Sequence, residues 1–255
     1  MERIAGASPR QLARIAGGLY LVNIVGGAFA IGFVPATIVV AGNVAATAHN
    51  IQANELLYRF GLVAHLVITV TNIPLAVIFY DLFKVVNRRL ALLVVFFTLV
   101  GTAVESANLL NQFAPLILLD GGHFSSALTA EQLQALAYMP IGLQTISYDI
   151  SGVFFGFYGL SIAYLVFRST FLPRGIGVLL AIGALCYLTY SFASFLSPGF
   201  AGHLVPYIQF PSLVGEGSFC LWLLIVGLNV KRWKERGSAA ELPGPGAMHW
   251  ERGPA

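Results

Sequence analysis

The sequence predicts an all-α, polytopic membrane protein with six transmembrane helices, both termini in the cytoplasm and short interfacial helices in the outer loops. Of its 255 residues, 57% are hydrophobic and 10% are charged, whereas a soluble domain carries about a quarter charged residues. The mean hydropathy of +0.79 points the same way. Six apolar runs reach the ~20 residues that a helix needs to cross a bilayer. The basic residues fall in alternate loops, as expected for a multi-pass chain.

The predicted spans follow one another through short connections. They are Leu12–Val34, Leu56–Tyr80, Leu90–Asn111, Leu143–Phe167, Ile176–Leu196 and Phe210–Val230. Residues 1–236 therefore form a single six-helix transmembrane domain. The segment from Gly237 is rich in Gly and Pro and has no periodicity, so residues 237–255 are predicted to be a disordered cytoplasmic tail.

Basic residues set the orientation of this domain. They precede the first span, follow the sixth, and occupy the second–third and fourth–fifth connections: Arg3, Arg10, Arg14, Lys84, Arg88, Arg89, Arg168, Arg174, Lys231, Arg232, Lys234 and Arg236. The other three loops contain no Lys or Arg, so the positive-inside rule places both termini in the cytoplasm. The net charge of +3 thus reflects topology and predicts no nucleic-acid partner.

The first span has an alternative interpretation. Its basic start, apolar centre and Ala28-Phe29-Ala30 also fit a cleaved signal peptide. The apolar run continues through Val34, however, and carries Tyr20 and Asn23 on one face, which favours a retained span. The topology of the rest of the chain is the same in either case.

Two outer loops have helical character. Residues 43–55 have helix-forming composition and predict a short surface helix that carries His49. Thr129 and Gln132 have capping-box spacing ahead of an apolar segment, which predicts a second short outer helix. Gly121–His123 is typical of a turn.

The third span carries the strongest functional signal. Thr98, Thr102, Glu105, Asn108 and Gln112 recur at three- and four-residue steps and so share one helical face. The opposite face of this span is apolar and suited to contact with lipid; it is formed by Leu92, Val95, Phe96, Leu99 and Ala103. An ionised carboxylate near the bilayer centre costs several kcal/mol, so Glu105 is expected to face a protein interior or a wet cavity.

Other polar residues are predicted to lie at the level of Glu105, in the outer half of the bundle. Glu105, Asp149 and Glu216 are the candidate catalytic residues. Arg59, His65, Asn108, Tyr187 and Tyr190 are the candidate substrate-binding residues. Several of these also have purely structural interpretations: a local pair between Arg59 and Glu55, a hydrogen-bonded core His65, an interhelical hydrogen bond from Asn108, and a Glu216 that reaches water.

More specific chemistries lack support. The histidines show no HxxxH or HExxH spacing, so no metal site is predicted, although one assembled by the fold stays open. The sequence has no G-x-S-x-G motif and no P-loop, so serine-hydrolase and nucleotide chemistry have no support. An intramembrane heme would usually need paired histidines at mid-depth, and only His65 lies there. Cys186 and Cys220 both lie in apolar runs and are interpreted as core residues. No cofactor is expected.

Three stretches together resemble a known family: ARIAGGLYLVNIVGG at 13–27, FYDLFKVVNRRLALL at 79–93 and RSTFLPRGIGVLL at 168–180. They resemble the bacterial multi-spanning proteins catalogued as domain of unknown function 4386. The segment GNVAATAHNI is also similar, with Asn43 where an acidic residue is usual. The resemblance implies a bacterial plasma-membrane location and no established activity. A looser similarity, in size and intramembrane carboxylates, is to integral-membrane terpene cyclases, with no shared motif.

The sequence leaves three functions open. The first is an outward-facing acidic pocket that binds an amphiphilic, lipid- or isoprenoid-like molecule, where Glu105 and Asp149 exchange protons with it and Arg59 or His65 orients it. The second is a proton-coupled carrier or sensor that uses the same carboxylates. The third is a non-catalytic membrane assembly protein. Whether the protein is an enzyme, and its oligomeric state, are not decided by the sequence.

Overall fold

A computed structural model describes residues 8–120 and 127–241, and every regular element within these ranges is helical. The predicted turn at Gly121–His123 lies outside the described residues. The described α-helices are α1 (Pro9–Gly27), α2 (Val34–Ile38), α3 (Val44–Ala53), α4 (Glu55–Phe83), α5 (Arg88–Leu119), α6 (Ala130–Arg168), α7 (Arg174–Leu196), α8 (Pro198–Leu204), α9 (Phe210–Ile225) and α10 (Val230–Glu241). A π-helical segment, Ala28–Phe33, joins α1 to α2.

Six helical segments are long and apolar enough to cross a membrane, which confirms the predicted polytopic all-α fold. Their bounds are Pro9–Ile38, Glu55–Phe83, Arg88–Leu119, Ala130–Arg168, Arg174–Leu196 and Tyr207–Ile225. The first comprises α1, the π-helical segment and α2, and the last adds a 3-10 turn to α9. Most of these helices extend past the predicted spans because the apolar core alone does not mark where a helix ends.

The six long segments form a closed ring. Each packs against its neighbour in the chain order α1, α4, α5, α6, α7 and α9, and α9 packs back against α1. One end of the ring, called the basic end below, carries Arg10, Arg88 and Arg174 at helix starts, together with α10. At this end the Trp233 indole of α10 donates a hydrogen bond to the Leu82 carbonyl oxygen (2.9 Å). The opposite end carries α3 and α8.

Two apolar clusters fill the bundle at different levels. The larger lies toward the basic end and includes Tyr20, whose ring meets those of Phe79 and Phe219 edge to face. The smaller lies toward the opposite end and includes Ile38 and Ile51. The polar residues of α5 lie between these two clusters, so the surrounding apolar packing excludes bulk water from them.

The outer segments confirm one prediction and correct another. Asn43 caps α3 by accepting a hydrogen bond from the Ala46 N–H (3.0 Å), as the predicted surface helix requires. The capping box at Thr129 is also present, but it opens the single helix α6 and not a separate short helix. The helix continues because Leu133 and Ala137 are buried against the bundle, and this packing offsets the hydrogen bond lost at Pro140.

The sixth span is short and begins part-way along its neighbour α7. After α7 ends at Leu196, the chain passes through α8 and the 3-10 turn Tyr207–Gln209 before α9 begins. The Ser212 hydroxyl then donates to the Gly183 carbonyl oxygen (2.9 Å), near the middle of α7. The N-terminal half of α9 therefore lies deeper in the bundle than its place in the sequence indicates.

The segment after α9 is helical for longer than predicted. The helix α10 continues to Glu241, so it includes residues 237–241. Residues 242–255 lie outside the described residues. The helix is held to the bundle by Trp233 and by the Asn229 N–H, which donates to the Phe171 carbonyl oxygen (3.3 Å).

Candidate functional site

The polar face predicted on the third span is buried as a unit. Thr98, Thr102, Glu105, Asn108 and Gln112 are each at most 8% exposed. On the opposite face Leu92, Phe96 and Leu99 are more than 40% exposed. The helical period therefore placed this face correctly toward the protein interior.

Glu105 is held by side chains from both helices that flank α5. Its Oε2 lies 2.8 Å from Nε2 of His65, on α4, whose side chain is 1% exposed. The Ser151 hydroxyl, on α6, donates a hydrogen bond to Oε1 of Glu105. Both carboxylate oxygens thus have a partner, which is what a buried carboxylate requires.

A chain of hydrogen bonds leads from His65 toward the end of the bundle opposite the basic end. Nδ1 of His65 lies 3.0 Å from Oε1 of Gln112. The Gln112 and Gln144 amides both donate to the Tyr148 hydroxyl, at 3.4 and 3.3 Å. The Tyr58 hydroxyl donates to the Gln112 carbonyl oxygen (2.8 Å). We call these residues, with Glu105 and Ser151, the His65–Glu105 network.

A small cavity adjoins this network on the same side. Tyr58, Gln112 and Gln144 line it, mainly with apolar residues from the π-helical segment and α2, and its volume is about 20 Å³. A cavity needs roughly 10–15 Å³ to hold one water molecule. The cavity therefore fits a single water beside Gln112, and does not fit a lipid-like molecule.

The hydrogen-bond partners of His65 are compatible with more than one protonation state. Both ring nitrogens face oxygen acceptors, one on Glu105 and one on Gln112. A neutral imidazole has only one N–H, whereas the imidazolium has two. With the Gln112 amide oxygen toward Nδ1, the arrangement suits an imidazolium beside an ionised Glu105, and it equally suits a neutral imidazole beside a protonated Glu105. If His65 is neutral and donates its one N–H to an ionised Glu105, the Gln112 amide reverses so that its NH2 group donates to Nδ1.

Asn108 belongs to this region through a backbone carbonyl of α6 and the side chain of Asn111. Its amide donates to the Gln144 carbonyl oxygen at 3.4 Å, and its own oxygen accepts from Asn111 at 3.2 Å. The predicted interhelical role is therefore present, because this bond joins α5 to α6. Asn23 and Asn72 form a similar bond (2.7 Å) between α1 and α4.

Asp149 faces a different neighbour from Glu105. It is half-buried on α6, and its carboxylate lies next to the Ser194 hydroxyl of α7. The glycines that follow on the same face pack against α7 as well: a Cβ on Gly152 would lie 2.5 Å from Oγ of Ser191. The small-residue stripe thus mediates close helix packing, and it turns Asp149 away from α5.

Glu216 lies at another level, which corrects the prediction of a single polar layer. A Cβ on the preceding residue, Gly215, would lie 2.7 Å from the Leu179 carbonyl oxygen, and Leu179 is roughly 8 Å along α7 from its basic end. Glu105, in contrast, is roughly 25 Å along α5 from Arg88. Glu216 lines a cavity of about 10 Å³ with Tyr20, Tyr158, Tyr187 and Ser212.

The remaining predicted site residues lie apart from Glu105. Arg59 is exposed and pairs with Glu55 (2.7 Å), so the local interpretation of that residue is correct. Tyr187 belongs to the Glu216 cavity. Tyr190 is half-buried, and its carbonyl oxygen accepts from Ser194 (3.0 Å). Within residues 8–120 and 127–241, no three His, Cys, Asp or Glu side chains converge as metal ligands would.

Sequence reasoning missed the residues that α6 contributes to the network. Gln144, Tyr148 and Ser151 recur at steps of four and three and lie on the face of α6 that meets α5. This spacing was visible in the sequence. The prediction used a different face of the same helix, the one that carries the glycine stripe and Asp149.

Comparison with known proteins gives a family and no activity. No curated protein and no solved structure matches the chain. Residues 15–227 match the family described as a domain of unknown function (DUF4386). This region begins within α1 and ends just after α9, so it includes most of the first long helical segment, the other five, and every residue of the His65–Glu105 network. The chain therefore belongs to the DUF4386 family, as its three resembling segments had indicated.

Proposed function

We propose that this multi-pass protein is a proton-responsive sensor or proton-coupled carrier of the bacterial plasma membrane, in which the His65–Glu105 pair binds and releases the proton. One observation carries the proposal: a buried imidazole has oxygen acceptors at both ring nitrogens, one of them a carboxylate. Intramembrane ionisable residues are expensive to keep and commonly mark proton pathways. The pair joins α4 to α5, so its charge state acts on helix packing.

The network has two self-consistent hydrogen-bond arrangements. With His65 charged, Nδ1 donates to Oε1 of Gln112, and the Gln112 amide donates to Tyr148. With His65 neutral, the Gln112 amide reverses, donates to Nδ1 and accepts from Tyr148. A change of one proton is therefore passed through Gln112 to a side chain of α6. Such a two-state element is what a protonation switch requires.

Proton access is supported from the end of the bundle opposite the basic end. The basic residues predict that this end faces outward. The cavity beside Gln112, with room for about one water, lies on that side of the network. In the proposed pathway a proton passes from this water to His65, which Glu105 holds, and the Gln112 amide reorients as His65 becomes charged.

Acid–base chemistry on a bound amphiphile has less support. Binding sites for such molecules usually measure about 300–1,000 Å³, whereas the cavities beside the network and beside Glu216 measure about 20 and 10 Å³. The proposed donor and acceptor, Glu105 and Asp149, also face different helices. An amphiphile would bind between these groups only after the helices had separated.

The proposal is tested by infrared difference spectroscopy on purified protein in lipid nanodiscs, comparing acidic with neutral buffer. Wild type is expected to show imidazole-ring bands and a shifted carboxylate band, accompanied by amide and tyrosine bands; Glu105→Gln is expected to lose the carboxylate band and to change the others. Glu55→Gln, which removes a carboxylate from the exposed pair with Arg59, is the matched control and should leave these bands unchanged. A Glu105→Gln spectrum identical to wild type would contradict the proposal.

Sensor and carrier are separated by proton flux. In proteoliposomes with an imposed pH difference and a trapped pH dye, a carrier dissipates the gradient when its substrate is present, and Glu105→Gln abolishes the flux. A sensor shows the spectroscopic change and no flux. Protein that shows neither would favour a purely structural role for the network.

A further inference from the structure

The basic end of the bundle contains a cavity that the proposed proton site does not use. It lies between the α6–α7 connection and the segment that joins α9 to α10, and its volume is about 590 Å³. This is far larger than the two cavities described above and falls in the range of small-molecule sites. Its lining combines apolar side chains, among them Phe171 and Trp222, with two arginines, Arg10 and Arg232.

We propose that this cavity binds the headgroup of an anionic phospholipid, through its phosphate, from the leaflet at the basic end. The site is new with respect to the proton-binding network and does not depend on it. Arg10 approaches from the start of α1 and Arg232 from the first turn of α10, so the phosphate would bridge the two ends of the described chain.

Both guanidinium groups are positioned and retain donors for a ligand. The Arg10 Nε–H donates to the Val226 carbonyl oxygen (3.2 Å), and an Nη1–H of Arg232 donates to the Thr170 carbonyl oxygen (3.2 Å). Among the described residues each side chain makes only this hydrogen bond and no ion pair. A guanidinium has five N–H donors, so four on each remain for phosphate oxygens.

Charge and polarity select an anionic amphiphile in particular. None of the described lining residues is acidic. Arg14 adds positive charge beside the cavity, because it donates to the Ile225 carbonyl oxygen (3.1 Å) one residue from Val226. Val226 lines the cavity and is 41% exposed, and Ile225 next to it is 65% exposed. A headgroup in the cavity would thus leave an acyl chain lying along exposed apolar surface.

The backbone at Gly227, at the mouth of the cavity, leaves space for the side chain of Arg10. Gly227 has φ of +75°, a conformation that favours glycine, and a Cβ there would lie 3.0 Å from Cγ of Arg10. A larger residue at this position would displace the arginine. The turn after α9 therefore leaves room for the Arg10 side chain to reach across the cavity.

The test measures lipid binding by the purified full-length protein in neutral detergent, by native mass spectrometry. Phosphatidylglycerol, phosphatidylcholine and inorganic phosphate are added in separate titrations. We expect phosphatidylglycerol to bind at least about tenfold more tightly than phosphatidylcholine, with a preference that falls as salt is raised. Inorganic phosphate is expected to compete only weakly, because it lacks the acyl contact.

Variants assign the site. Arg10→Gln/Arg232→Gln is expected to lose about tenfold or more in phosphatidylglycerol affinity, since two charge-assisted contacts disappear. Arg89→Gln/Lys234→Gln removes the same charge from the same end outside the cavity lining and should bind as wild type does. If the double variant is not monodisperse, Arg232→Gln alone is measured.

Several results would overturn the proposal. Equal affinity for both lipids, or equal loss in both double variants, would mean that the attraction is diffuse. Full displacement of the lipid by inorganic phosphate at the same concentration would indicate a soluble anion as the ligand. A tenfold gain in lipid affinity after truncation at Glu241 would identify residues 242–255 as the occupant of the cavity.

Discussion

The coupling free energy between His65 and Glu105 should be larger than that of an ordinary interhelical hydrogen bond. The perturbation is a double-mutant cycle of Glu105→Gln, His65→Gln and the combined variant, each close in size to the residue it replaces. The two wild-type side chains are 1% and 10% exposed and 2.8 Å apart. Their attraction is therefore screened little by water, while each single variant leaves the other group buried without its charged partner.

The expected coupling energy follows from comparison with known cases. Neutral interhelical hydrogen bonds in membrane proteins couple by about 0.6 kcal/mol on average and at most about 1.7 kcal/mol. Hydrogen bonds to charged groups contribute about 1.5–3 kcal/mol. The imidazolium–carboxylate pair should therefore couple by about 2 kcal/mol. The matched control is the cycle on Glu55 and Arg59, whose side chains are 52% and 49% exposed, and it should give about 0.5 kcal/mol or less.

The assay is reversible unfolding in mixed micelles with increasing denaturing detergent at neutral pH, followed by circular dichroism. A coupling energy of about 0.6 kcal/mol or less for His65 and Glu105 would refute the charged pair. It would indicate a neutral hydrogen bond of the common interhelical kind, and the proton-responsive proposal would lose its main support.

Two further predictions concern packing and the second partner of Glu105. Gly215→Ala should destabilise the protein by about 1–3 kcal/mol, because its Cβ would lie 2.7 Å from the Leu179 carbonyl oxygen; Gly217→Ala, with nothing within 4 Å, should change the unfolding midpoint little. An equal effect in the two variants would contradict the described contact between α7 and α9. Ser151→Ala should cost about 1.5–3 kcal/mol in the same assay, because its hydroxyl donates to the Glu105 carboxylate. The control is Ser147→Ala, since among the described residues its hydroxyl bonds only to the Leu143 carbonyl oxygen. It should lower the free energy of unfolding by less than about 0.5 kcal/mol. Similar losses of stability in both serine variants would argue against the bond to Glu105.

Local periodicity accounts for the parts of the site that the sequence predicted correctly. The five buried residues of α5 follow from the 3.6-residue period, which fixes a helical face without any knowledge of its neighbours. The pair between Glu55 and Arg59 also follows from local spacing. In both cases the information lies within one helix.

The misplaced residues depend on relations between helices. The distance of Glu216 from the start of the sixth apolar run predicts a position in the outer half of the bundle. That inference fails because α8 and the 3-10 turn bring Phe210 part-way down α7 before the run begins. No hydropathy pattern encodes this descent. The contact of His65 with Glu105 likewise depends on the ring order, which places α4 and α6 on either side of α5.

The helix α6 determines which carboxylates act together. Asp149 and Ser151 are two positions apart, and so point about 200° apart around the helix. Ser151 consequently meets Glu105 on α5, while Asp149 lies beside Ser194 on α7. On the α7 side the glycine contacts leave no room for a shift, since Cβ atoms on Gly152 and Gly156 would lie within 2.6 Å of α7 side chains. On the α5 side the contact includes hydrogen bonds that can reverse with His65. A change in the charge of His65 should therefore move α4 and α5 relative to a tightly packed α6–α7 unit.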